Sequence, residues 1–275
     1  MYNTIMCRLL YYCGKKVRLK SILMDKENSL WNQSVNCKRA KWFNMVKRDH
    51  LVNVDGFGVG WFDEEDDEFC IYKTTRIPLH DQNFLNLSKH VRSGIVCGHL
   101  RAVKSHKNCK IIRDNCHPFG YDKIMFMHNG LITNFRKNYL KLLGRIGENY
   151  REKIEGTTDS ENIFYYYLTL LGDKLYGYEM DHYLRKFLMM IGSLRRIFED
   201  GIISANIVII TPQFTIASRF INNDEEPPSL YIKSGEDVIL SSEPLEKEGY
   251  KLVEKNSCIL VKHSNKVVAN VRIDT

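Results

Sequence analysis

Strand-like apolar runs crowd both ends of this 275-residue chain, with helical spacing between them, and that order constrains the fold more than any other feature. The early runs, at residues 6–12, 57–62, 69–72, 94–100 and 124–128, are short and rich in β-branched or aromatic residues. Helical spacing is brief at residues 19–30 and 83–91, then dominates at 131–146, 163–171 and 183–198. Beyond Ser204 short β-type runs return at 207–211, 214–220, 230–233, 238–242, 258–263 and 267–273. Strands, then helices, then strands predict an α+β chain. Length alone fits two average domains or one large α+β domain.

Four segments carry chemistry. Met6-Cys7-Arg8-Leu9-Leu10 places a thiol at the leading end of a buried strand, and Gly98-His99-Leu100-Arg101-Ala102 ends a second apolar run in a fixed cation. Met127-His128-Asn129-Gly130 ends a third run with a side-chain amide and a glycine. Thr157-Thr158-Asp159-Ser160-Glu161 opens a helix with a carboxylate, and Thr158 with Glu161 three residues on is a capping-box pattern. A thiol, a cation, an amide beside a glycine and an anion are the parts needed to cleave an amide carried by an amino acid.

In this order the segments resemble a class II glutamine amidotransferase domain, an N-terminal-nucleophile hydrolase, and in particular the subgroup typified by the fungal amidotransferase-like subunit that degrades glutathione. Asn32-Gln33-Ser34, Asp55-Gly56-Phe57-Gly58-Val59, Asn115-Cys116-His117-Pro118-Phe119, Thr158-Asp159-Ser160-Glu161 and Ser242-Glu243-Pro244-Leu245 extend the likeness over nearly the whole chain. The resemblance implies a four-layer αββα sandwich. It divides the chain into a leader, residues 1–6, absent from the active form, and a single domain from 7 to 275.

The resemblance implies a role for each site residue. Cys7 is the nucleophile, and its own α-amine, once free, is the base that a thiol of pKa about 8.5 needs near neutrality. Asn129 and Gly130 form the oxyanion hole. Arg101 grips the α-carboxylate with its planar fork, and Asp159 receives the α-ammonium. With Met1-Tyr2-Asn3-Thr4-Ile5-Met6 attached, the Cys7 nitrogen is an amide and no base. Three outcomes are ranked: translation starts at Met6, which is then removed; the leader is cut away later; or the leader stays and the protein is silent. Family members often carry a small hydroxyl residue where this chain has Lys104, followed by Ser105, so the departure bears on substrate identity and on closure of a lid at residues 102–115.

The glycines at 56, 58 and 60 admit a close backbone or ligand, but lack dinucleotide-binding spacing. The acidic run 63–68 reads as a solvated turn, and His99, His117 and His128 have no metal-site spacing, so neither cofactor nor metal is expected. The formal charge of +7 comes from 40 Lys+Arg scattered in isolated pairs, which argues against a nucleic-acid partner. The eight cysteines contain no Cys-x-x-Cys and read as reduced. With no apolar run of membrane-spanning length and no secretory signal, the expectation is a cytoplasmic protein.

The resulting expectation is a thiol amidohydrolase that releases glutamate from glutamine or from a γ-glutamyl compound such as glutathione. It acts beside a separate synthetase that takes ammonia, or beside a peptidase-like subunit. The competing expectation is a catalytically silent subunit that keeps the fold as a partner-binding scaffold.

Overall fold

Successive side chains of the first strand point into two different cores. Leu9, Tyr11 and Cys13 pack on one face, Leu10 and Tyr12 on the other, and all five are buried. Period-two alternation with apolar residues on both sides marks a strand covered on both faces. The same split recurs at Met125 and Met127 against Ile124 and Phe126, and at Val208 and Ile210 against Ile207 and Ile209. Two sheets therefore face each other, and each has helices on its outer side.

The computed structural model describes residues 7–34, 55–102 and 110–273. Its strands, in chain order, are β1 (Arg8–Arg18), β2 (Phe57–Asp63), β3 (Glu68–Thr74), β4 (Arg92–Leu100), β5 (Phe119–Tyr121), β6 (Ile124–Ile132), β7 (Ile203–Ile210), β8 (Phe214–Arg219), β9 (Tyr231–Ser234), β10 (Val238–Ser241), β11 (Lys251–Leu252), β12 (Ser257–Lys262) and β13 (Val267–Arg272). One sheet has the order β11-β9-β10-β1-β4-β2-β3 and the other β13-β12-β8-β7-β6-β5. Every neighbouring pair of strands in these two orders is antiparallel.

Leu19, Leu23 and Phe84, from the helices Leu19–Leu23 and Gln82–His90, cover the outer face of the first sheet. Helices Phe135–Leu143, Asp159–Leu171 and Met180–Ile197 cover the second, with Phe164, Tyr167, Phe187 and Leu194 fully buried against it. Burying one such large apolar side chain contributes about 1.5–3 kcal/mol, so the three cores carry most of the stability. Together the layers make the αββα sandwich that the resemblance implies.

The structure departs from the local sequence pattern at three places. Cys13-Gly14-Lys15-Lys16, a turn by its residue types, is extended instead: β1 runs on to Arg18, with a register irregularity between Cys13 and Val17, and Lys15 N–H donates to Asp237 Oδ1 at 3.0 Å. The helical stretch at 19–30 breaks into Leu19–Leu23 and Leu30–Gln33, the second capped by Ser29. At 131–146 the strand persists to Ile132, and the helix begins at Phe135 after Asn134, a residue with φ of 57°.

Gly58 and Gly60 serve sheet packing. A Cβ on Gly58 would lie 2.0 Å from the His117 carbonyl oxygen, and one on Gly60 would lie 2.3 Å from Met125 Sδ. The described cysteines, Cys7, Cys13, Cys70, Cys97, Cys116 and Cys258, are free thiols. Among the described residues no helix is long and apolar enough to cross a membrane. The expected leader 1–6, residues 35–54 with Cys37, and lid residues 103–109 with Lys104, Ser105 and Cys109 lie outside the described residues.

Candidate active site

Pairing of β1 with β4 sets Arg8 opposite Leu100, which brings Cys7 to the end of β4 where Arg101 and Ala102 follow. Ala102 N–H points at Cys7 Sγ from 3.4 Å, and the thiol in turn faces the Ala102 carbonyl at 3.8 Å. Burial pushes the Cys7 thiol above its ordinary pKa. The Ala102 N–H, the Arg101 guanidinium and the Arg8 guanidinium pull it down, and the Asp159 carboxylate pushes it up. Two of the other expected residues, Arg101 and Asp159, therefore act electrostatically on the Cys7 sulfur. A thiol raised by burial needs a base to ionise near neutrality.

Arg101 is buried, and its Nη1 donates to the Lys110 carbonyl at 3.1 Å and the Asp55 carbonyl at 3.4 Å. The same Lys110 carbonyl accepts from Asn115 Nδ2 at 2.9 Å. Asn115 also donates to Thr157 Oγ1 at 3.2 Å, and its Oδ1 accepts from Thr157 N–H at 2.7 Å. One buried amide thus fastens the segment after Arg101 to the segment before Asp159.

Asp159 opens the helix Asp159–Leu171, where Thr158 Oγ1 caps by accepting from Glu161 N–H at 3.2 Å. Glu161 departs from the capping-box pattern, because its carboxylate accepts from Glu155 N–H at 3.0 Å and Gly156 N–H at 2.7 Å. Asp159 Oδ2 accepts from Ile132 N–H at 2.9 Å, and Oδ1 from Ser160 N–H at 2.8 Å. Ile132 ends the strand that carries Asn129 and Gly130, so the anion and the amide-glycine pair are held to each other.

Asn129 is buried, and its Nδ2 donates to Ser242 Oγ at 3.2 Å. That oxygen also accepts from Leu9 N–H at 3.0 Å, which ties the amide to the strand bearing Cys7. Gly130 has no room for a side chain: a Cβ there would lie 1.9 Å from the Ser204 carbonyl oxygen and 2.6 Å from His128 Nε2.

Three histidines, His99, His117 and His128, are buried. Burial drives the His99 pKa down to about 3 and holds that of His117 well below the ordinary value. His99 Nε2–H donates to the His128 carbonyl at 3.2 Å, and the His99 and His117 rings sit 4.1 Å apart.

The five expected residues lie just before β1, just after β4, on β6 and at one helix start. Ser242, Asn115 and Arg8 were quoted in the resemblance without a role. Leu9 lies 233 residues from Ser242, and Arg8 is still farther from its partner Glu243, and no local pattern signals such links. In Asn32-Gln33-Ser34, Gln33 Nε2 donates to the Asn28 carbonyl at 2.8 Å and Ser34 Oγ to the Trp31 carbonyl at 2.7 Å.

Comparison with known proteins follows the same lines. The family model for class II glutamine amidotransferases matches residues 37–206. A Saccharomyces cerevisiae protein described as "Probable glutamine amidotransferase DUG3" is 37% identical over 179 residues, which cover 63% of this chain and 47% of that protein. The chain thus spans about half the length of the curated relative it matches. A glutamine aminotransferase class-II domain protein from Silicibacter pomeroyi superposes with a TM-score of 0.66 at 20% identity, covering 98% of this chain and 100% of its own. The glutamine phosphoribosylpyrophosphate amidotransferase of Bacillus subtilis does so with a TM-score of 0.64 at 13% identity, covering 98% of this chain and 50% of its own. These two likenesses speak for the fold.

Proposed function

Since this chain belongs to the class II glutamine amidotransferase family, we propose that it cleaves the γ-amide of glutamine, or the γ-glutamyl amide of a glutathione-like peptide, through the thiol of Cys7 and releases glutamate. The working form begins at Cys7, whose free α-amine takes the thiol proton directly or through a water. The thiolate attacks the amide carbon. Asn129 Nδ2 and the Gly130 N–H receive the developing oxyanion, the amine departs with the transferred proton, and water hydrolyses the remaining thioester to glutamate. Arg101 holds the α-carboxylate and Asp159 the α-ammonium, which leaves the γ-carbonyl at the sulfur.

What supports this reading is that Arg101 adjoins Ala102, whose N–H points at Cys7 Sγ from 3.4 Å, while Asp159 Oδ2 accepts from Ile132 N–H at the end of the strand bearing Asn129 and Gly130. A cation thus lies at the thiol and an anion at the strand of the amide. An amino acid carries the two complementary charges. The leaving amine goes either as ammonia to a separate synthetase or, with a γ-glutamyl peptide, to a peptidase-like subunit. The test is glutamate release from glutamine and from glutathione by a chain beginning at Cys7, with Cys7→Ala as control. Release that depends on Cys7 is expected, and its absence with both substrates overturns the reading.

A further inference from the structure

The tetrapeptide Ser242-Glu243-Pro244-Leu245 follows β10 and is not used by the chemistry above, yet it lies against the nucleophile strand. Ser242 N–H donates to the Leu9 carbonyl at 2.9 Å, and Ser242 Oγ accepts from Leu9 N–H at 3.0 Å and from Asn129 Nδ2 at 3.2 Å. Glu243 Oε1 pairs with Arg8 Nη2 at 3.1 Å, and Arg8 Nη1 donates to the Cys7 carbonyl at 3.1 Å. Ser242, Glu243, Leu9 and Asn129 are each at most 2% exposed, so water does not compete for these bonds.

We propose that Ser242 is a positioning residue that registers the Cys7 nucleophile against the Asn129 oxyanion donor; this rests on the amidohydrolase reading above. β1 and β6 belong to different sheets, so no ladder fixes their spacing. One hydroxyl oxygen does so, since its two lone pairs accept one N–H from each strand. The Asn129 amide has two hydrogens. Ser242 takes one, which fixes the plane of the group and leaves the other for the oxyanion. The Glu243-Arg8-Cys7 bonds hold the nucleophile end of the same clamp from its carbonyl side. That anchorage needs nothing N-terminal to Cys7.

The segment is itself held from behind. Ser229 Oγ donates to the Ser242 carbonyl at 2.9 Å, Asn28 Nδ2 to the Pro244 carbonyl at 2.8 Å, and Asn28 N–H to the Leu245 carbonyl at 3.0 Å. Substrate charges are read elsewhere, by Arg101 and Asp159. Loss of the Ser242 hydroxyl therefore acts on the chemical step and spares binding.

The test is a double-mutant cycle on the chain that begins at Cys7, with glutamine as substrate. Ser242→Ala is expected to lower kcat by about tenfold or more, with KM within about twofold of the parent. In an Asn129→Ala background the same change is expected to alter kcat by less than about twofold, because the group it positions is gone. Unchanged kcat for Ser242→Ala, multiplicative losses in the cycle, or a KM rise equal to the kcat fall each overturns the proposal. Should Ser242→Ala fail to fold, hydrogen exchange of the Asn129 side-chain amide in the parent protein decides: unequal rates for its two hydrogens are expected, and equal rates overturn the clamp. A parent with no Cys7-dependent turnover overturns the amidohydrolase reading and this role with it, whereas a fully active Ser242→Ala overturns the role alone.

Discussion

His128 Nε2–H donates to the Ser204 carbonyl at 3.0 Å, and this bond lies directly against Gly130. The carbonyl tolerates no methyl group there, because a Cβ at position 130 would sit 1.9 Å from it. Backbone on β7 would have to move. Gly130→Ala is therefore expected to destabilise the fold by about 1–3 kcal/mol, as overpacking does, and to lower glutamate release further by displacing the N–H of residue 130. Urea unfolding and turnover measured on the same sample check this. A variant with stability and kcat both near the parent values would contradict it.

Asp159 and Arg101 are expected to act on recognition. Asp159→Asn keeps an oxygen for the Ile132 N–H but removes the charge that pairs with an ammonium. The expected outcome is a loss of about 2 kcal/mol or more in kcat/KM for glutamine and little change for an analogue lacking the α-amine. Arg101→Lys loses the planar guanidinium whose Nη1 donates to both the Lys110 and Asp55 carbonyls, and KM is expected to rise more than kcat falls. Equal loss on substrate and des-amino analogue for Asp159→Asn would contradict the assignment.

Stability is expected to fall with acid. His99 is held down to about 3, His263 down to about 4, and His117 well below the ordinary value, burial being the first cause for each. In the unfolded chain each returns to about 6.5, so the unfolded state binds more protons below that pH. The contribution is complete above about pH 6.5 and is lost as pH falls toward the folded values. Urea midpoints at about pH 7.5 and about pH 5 check the sign, with a drop expected at the lower pH. His117 has no hydrogen-bond partner for either ring nitrogen among the described residues, so His117→Phe is expected to make the acid loss shallower. Equal slopes for parent and variant would contradict the account.

The sequence made much of this legible, and the reasons divide cleanly. Runs such as 94–100 and 124–128 announced strands because both faces are apolar, and Thr158 announced a helix start because capping is a local bond. Cys7, Arg101, Asn129, Gly130 and Asp159 were singled out through motif order, and the fold brings the segments that carry them together. The continuation of β1 past Gly14 was hidden. Gly14, Lys15 and Lys16 look like a turn, and what keeps them extended is Asp237, which lies 222 residues from Lys15. Ser242 was hidden for the same reason: its bonds to Leu9 and Asn129 cross 233 and 113 residues, distances over which no periodicity carries information.

The central claim is that Cys7 works with a free α-amine. The measurement that tests it most directly is the intact mass of the protein purified in active form from its native source, with N-terminal sequencing beside it. The account predicts a chain that starts at Cys7 and loses glutamate release when that residue is alkylated. An active chain that retains Met6 on the Cys7 nitrogen would contradict it, because an amide nitrogen there has no basicity to activate the thiol.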